Sequence, residues 1–201
     1  MIIGVDFDNT LVCYDQLFHK VALEQGLIPA DLPQNKSEVR NYLRKIGRED
    51  DWTEMQGVVY GARLNEAEAF PGARQFLRLA SAIGTEVRIV SHKTRQPYRG
   101  EPYDLHAAAR GWLKRYCVIS SMGLKEEDAF FELTKADKLA RIGACGCTHF
   151  IDDLPEFLAE PDFPSTTRKV LFDPNELYPD SADYLRCTSW EKIRESLLDL
   201  K

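Results

Sequence analysis

Nothing in this 201-residue chain approaches the roughly 20 consecutive apolar residues that a membrane-crossing helix requires. Cysteine is sparse, with five in all, too few for a disulfide scaffold at this length. A basic excess is also missing. Lys and Arg number 26 against 32 Asp and Glu, a net charge of -6, which argues against a nucleic-acid backbone or an anionic membrane as partner. No basic and then apolar leader precedes the first apolar run, so we expect a soluble, cytoplasmic protein with free thiols. Internal repeats and low-complexity tracts are absent. The sequence is silent on oligomeric state.

What is present is 44% hydrophobic content, enough for one sizeable core with a small appendage. "IIGV" reads as a buried strand that ends abruptly at "DFDNTL", placing Asp6 and Asp8 at a strand's carboxyl end. Residues 12–70 turn helical and polar, with breakers at "IPADLPQN" and Gly47, which predicts an insert of two or three helices. Trp52, Met55 and Tyr60 at helical spacing read as that insert's own small core. "FPGARQFLRLASAIG" predicts a helix feeding the strand "TEVRIV", which stops at Ser91, His92 and Lys93. "YDLHAAARGWLKRY" reads as a helix, "CVIS" as a strand, and "LTKADKLARIGA" as a helix capped by Thr134. "THFIDDLPEFL" and "RKVLFDPN" supply two more strands, and "SWEKIRESLLDL" closes the chain as a helix capped by Ser189.

Strands alternating with helices imply an α/β fold, a doubly wound parallel sheet whose ligands bind beyond the carboxyl ends of the strands. The expected division is a core of residues 1–11 and 71–201 with a helical cap at 12–70. Asp6, Asp8, Ser91, Lys135, Asp152 and Asp153 then converge on one crevice. Several carboxylates so close repel unless a hard cation lies among them, which points to Mg²⁺ and a phosphorylated substrate. A lysine and a hydroxyl complete an anion site suited to phosphoryl transfer.

In order and spacing, "DFDNTL", "IVSH", "TKADK" and "FIDDLPEF" resemble the four motifs of the haloacid dehalogenase-like phosphohydrolases, and the resemblance runs from Met1 to about Asn175. The insert is similar to that superfamily's cap of the first type, a lid over the site. The resemblance implies Asp6 as a nucleophile forming an aspartyl-phosphate and Asp8 as general acid and base, with its backbone carbonyl on the metal. It further implies Ser91 and Lys135 on the phosphoryl group, and Asp153 as the inner Mg²⁺ ligand supported by Asp152. Lys138, one turn further along, fits an exposed helix flank, although its long stem could also reach back to the site.

The function expected is a Mg²⁺-dependent phosphatase of a small phosphorylated metabolite. Alternatives are a phosphomutase, a nucleic-acid or nucleotide end phosphatase, and a non-catalytic regulatory protein of the same fold. His92, Lys93, Arg95, Tyr98 and Arg99 either line a substrate pocket or form a solvated loop, with Arg95 suited to a second anionic group. Cys145 and Cys147 lack the second pair that a zinc site needs.

Overall fold

The structure, a computed structural model, describes residues 1–116 and 123–198. The expected strand "CVIS" lies outside the described residues. The chain forms two compact units, one of Met1–Val12, Ala69–Lys93 and Tyr116–Lys201, the other of Cys13–Glu68 and Thr94–Arg115.

The first unit is built on a six-stranded parallel sheet. Its strands are β1 (Ile2–Val5), β4 (Glu86–His92), β5 (Ala129–Glu132), β6 (His149–Asp152), β7 (Arg168–Phe172) and β8 (Leu185–Cys187). A separate two-stranded ribbon, β2 (Val12–Cys13) with β3 (Glu68–Ala69), lies where the chain leaves this unit and returns to it. The order β5-β4-β1-β6-β7-β8 puts β1 in the middle, with later strands added first on one side and then on the other. That reversal is where a doubly wound sheet opens its crevice. Between β1 and β6 the ring of Phe150 lies so close that a Cβ on Gly4 would stand 2.4 Å from it, so any side chain there forces the ring to move.

Alternation along the strands divides the core between the two faces. Val90, Phe150 and Leu171 join Leu139, Ile142, Phe157 and Phe163 on one face, beneath α6 (Lys135–Ala144) and α7 (Pro155–Leu158). On the other, Phe172 meets Phe70 and Trp190, and Trp190 meets Phe76 with ring centroids 5.0 Å apart. The last contact joins α4 (Ala73–Ala82) to α8 (Trp190–Leu197). Burying each such side chain contributes roughly 1.5–3 kcal/mol, which fixes the strand register and therefore the positions of the strand ends.

The second unit contains α1 (Asp15–Glu24), α2 (Lys36–Lys45) and α3 (Glu49–Gly57), the last running on into a π-helical turn over Val58–Ala62. Phe18 and Trp52 stack at 4.8 Å, and Tyr60 packs edge-on against Phe18 and Tyr14. The helix α5 (Leu105–Arg115), expected with the core, packs here instead. Trp112 is fully buried and donates its indole N–H to the Ala67 carbonyl at 2.8 Å, while Tyr103 fills the space beside Gly61. Periodicity shows that a helix forms but not which neighbour covers its apolar stripe.

Among the described residues no helix is long and apolar enough to cross a membrane, and Cys13, Cys145, Cys147 and Cys187 are free thiols.

Candidate active site

Asp6 stands directly after β1, with its backbone N–H donating to the Ile151 carbonyl of the neighbouring strand at 2.9 Å. The chain then folds back on itself. The N–H groups of Leu11 and Val12 both donate to the Phe7 carbonyl, and Asn9 takes a left-handed φ of +57°, which asparagine tolerates better than most residues. This turn holds Asp6 and Asp8 over the carboxyl edge of the sheet. Ser91 at the end of β4 and Asp152 at the end of β6 flank them, both buried.

At the centre is Lys138. Its ammonium donates to Asp6 Oδ1 at 2.7 Å and to Asp152 Oδ2 at 2.6 Å, and it lies 4.1 Å from the centroid of the Phe157 ring. The other oxygen of Asp152 accepts the Leu154 N–H at 3.0 Å. Asp6, Asp152 and Asp153 bring carboxylate oxygens within 4.8 Å of one another, and the Thr10 hydroxyl donates to Asp153 at 3.3 Å. Burial drives the Asp6 carboxyl up to about 7, against the pull of Lys138 and with the help of Asp152 and Asp8. Burial works against the Lys138 ammonium too, yet the two carboxylates outweigh it and hold its pKa above the usual lysine range.

A cavity of about 110 Å³ opens here, lined by Asp6, Asp8, Ser91, Lys135, Lys138 and Asp153, with Asn9, His92, Leu154 and Phe157 completing the wall. Since a water occupies roughly 30 Å³ of liquid, the space suits a group of phosphoryl size. The Asp6 carboxyl group, a buried ammonium and a cluster of carboxylate oxygens therefore meet at one small chamber.

No family model matches this chain, and no curated protein matches it in sequence. Solved structures do match its fold. A HAD family hydrolase of Deinococcus radiodurans R1, with bound phosphate and sodium, superposes with a TM-score of 0.57 at 16% identity, over 98% of this chain and 94% of that one. A HAD hydrolase of Bacillus subtilis bound to magnesium gives 0.56 at 12% identity, over 98% of each chain. A predicted phosphoglycolate phosphatase from Haemophilus somnus gives 0.56 at 16% identity, over 97% of this chain and 96% of that one. The chain has the haloacid dehalogenase-like fold.

Within the haloacid dehalogenase-like core, Asp6, Asp8, Ser91, Asp152 and Asp153 come together as their strand-end positions predict. The lysine is a correction. Lys135 does occupy the first position of α6 after its cap, Thr134, whose hydroxyl accepts the Asp137 N–H at 3.0 Å. Its side chain is nevertheless 52% exposed at the cavity rim and pairs with Glu160 at 3.7 Å, whereas that of Lys138 is 4% exposed and reaches Asp6. Helical side chains lean back toward the N-terminus, so a long stem one turn in returns its head to the strand ends.

The residues after Ser91 separate. His92 is at the rim, with its ring nitrogen 3.1 Å from the Leu133 carbonyl. Lys93 does not line the cavity and engages both oxygens of Asp8, at 2.9 and 2.7 Å. Arg95 belongs to the second unit, 67% exposed and 3.9 Å from Asp104. Sequence reasoning also missed Thr10. Its place two residues past Asp8, inside the same turn, is the signal that was available.

Proposed function

We propose that the protein is a Mg²⁺-dependent phosphatase of small phosphorylated metabolites. The observation that carries this reading is the placement of Asp6, with a buried ammonium on one oxygen and two further carboxylates close by.

The residues present fit a hard divalent cation, since Asp6, Asp152 and Asp153 offer only oxygen donors and their crowded charges call for a counter-ion. Asp6 and Asp153 would hold it, with the backbone carbonyl of Asp8. Asp152, whose two oxygens are engaged by Lys138 and the Leu154 N–H, would support them. When bound, Mg²⁺ supplies positive charge against the phosphoryl dianion and relieves repulsion among the carboxylates.

In the first half-reaction the Asp6 carboxylate attacks phosphorus as the ester P–O bond breaks, and Asp8 gives its proton to the departing oxygen. Lys138 and Ser91 offset the negative charge spread over the phosphoryl oxygens. In the second, Asp8 takes a proton from water as that water attacks the aspartyl-phosphate, releasing inorganic phosphate and restoring Asp6. The second unit supplies substrate selectivity as a helical cap. The predicted phosphoglycolate phosphatase from Haemophilus somnus, similar in fold, supports this reaction class, and the bound magnesium of the Bacillus subtilis structure supports this choice of cation.

A panel of phosphorylated metabolites, read by release of free phosphate, tests the proposal. Hydrolysis that requires Mg²⁺, stops with chelator and falls by at least about 1,000-fold in Asp6→Asn supports it. Phosphoryl transfer to a second sugar position without free phosphate would indicate a mutase.

A further inference from the structure

Lys93 has no part in the chemistry above, yet it is among the most constrained side chains near the site. Its backbone N–H donates to the Glu132 carbonyl at 2.8 Å, carrying the β4–β5 pairing just past the end of β4. From there the side chain turns back toward β1. The ammonium lies 2.9 and 2.7 Å from the two oxygens of Asp8 and 5.4 Å from the centroid of the Phe7 ring. Phe7 is itself held edge-on by Phe131, with centroids 5.4 Å apart.

The two partners differ sharply in exposure. The Asp8 side chain is 23% exposed and lines the cavity beside Asp6, whereas that of Lys93 is 3% exposed and does not line it. The lysine therefore meets the carboxyl group at its two oxygens from within the protein and not across the cavity. To touch a substrate it would have to abandon Asp8, leaving a desolvated carboxylate without this counter-charge. Anything Lys93 does for the reaction it does through Asp8.

We propose that Lys93 is the positioning residue of Asp8, its ammonium holding the Asp8 carboxyl group in one rotamer at the cavity wall. This rests on the reading of Asp8 as the group that exchanges protons with the leaving oxygen and then with water. A short carboxylate side chain has three staggered choices about its first torsion, and a two-point contact from a buried cation selects one. Lys93 keeps its protons throughout. In the first half-reaction the proton passes from the Asp8 carboxyl to the ester oxygen, and in the second from water to the Asp8 carboxylate.

The test compares kcat/KM for phenyl phosphate and 4-nitrophenyl phosphate, with Mg²⁺ present, in the wild type and in Lys93→Met, Lys93→Arg and Asp8→Asn. Phenolate is a poor leaving group that needs the proton, whereas 4-nitrophenolate is a stable anion. General acid catalysis contributes roughly 100- to 10,000-fold. Lys93→Met is expected to lose about 100-fold on phenyl phosphate and less than about 10-fold on 4-nitrophenyl phosphate, with KM little changed. Lys93→Arg, which keeps the cation, should recover most of the loss. Adding Lys93→Met to Asp8→Asn should cost no more than about twofold, because the group being positioned is already gone.

Equal losses on the two esters would mean a merely structural lysine, and a raised KM with additive loss in the Asp8→Asn background would mean direct contact with substrate. Either result overturns the proposal while the phosphatase reading stands. A wild type inactive on both esters overturns that reading and this proposal together. If Lys93→Met does not fold, Lys93→Gln, which retains a hydrogen-bond donor without the charge, must show a selective loss on phenyl phosphate of the same sign, and an unsplit result there counts against the proposal.

Discussion

Lys138 reaches from the second turn of α6 to within 2.7 Å of Asp6, and its second hydrogen bond, to Asp152, ties the end of β1 to the end of β6 through one ammonium. All three groups are buried, so this one ammonium offsets the charge of two desolvated carboxyl groups.

Removing that ammonium should therefore do two kinds of damage. Lys138→Ala leaves two buried carboxylates facing each other and is expected to cost about 3 kcal/mol of stability, read as a lowered Tm, and about 100-fold or more in turnover. Lys135→Ala breaks only an exposed pair with Glu160 and should cost less than about 1 kcal/mol. Parallel melts and kinetics of the two variants check this, and the reverse ranking would contradict it.

The elevated Asp6 pKa predicts how cation binding depends on pH. Because the folded protein holds a proton on Asp6 up to about 7 while an unfolded aspartate loses it near 3.8, the metal-free protein should lose stability as pH rises between those values. A divalent cation competes with that proton. The rise in Tm on adding Mg²⁺ should accordingly be larger at pH 8 than at pH 5, and Asp6→Asn should flatten both trends.

The make-up of the second unit sets the terms of any deletion. Replacing residues 13–68 alone with a short loop would strip the cover from Leu105, Ala109, Trp112 and Leu113 on α5, and that variant should aggregate. Removing 94–115 as well should leave a folded sheet domain that still hydrolyses aryl phosphates with altered selectivity. A monodisperse, cooperatively melting single deletion would contradict the assignment of α5.

Away from the site, Asp173 is buried and accepts the N–H groups of Leu177 and Tyr178 at 2.9 and 3.0 Å and the Arg186 guanidinium at 2.8 Å. Burial alone would raise its pKa, but these three contacts win and hold it below the ordinary 3.8. The stability it contributes is present above pH 3.8 and is lost as pH falls below that value. Asp173→Ala should cost about 2 kcal/mol at neutral pH in a denaturant melt, and that penalty should shrink in acid.

The strand ends were legible in the sequence because charge breaks an apolar run so sharply. "IIGV" stops at Asp6, "RIV" at Ser91 and "HFI" at Asp152, and the sheet delivers all three to one edge. The Thr134 cap and the start of α6 were legible for the same local reason. Lys138 was not, because the choice between two lysines one turn apart depends on the direction of a side chain across a tertiary contact. β8, the three residues "LRC", is too short and too polar to give a period, and "AFFE" of β5 is barely longer. The pairing of Lys93 with Asp8 joins residues 85 positions apart and leaves no local pattern.

The central claim is that Asp6 becomes covalently phosphorylated during turnover. Acid quenching of the protein with Mg²⁺ and an active aryl phosphate, followed by borohydride reduction and peptide mass analysis, tests it most directly. The account predicts reduction of residue 6 from aspartate to homoserine in the wild type and no such product in Asp6→Asn. Continued turnover with Asp6 unmodified, or a phosphoryl group trapped on another side chain, would contradict it.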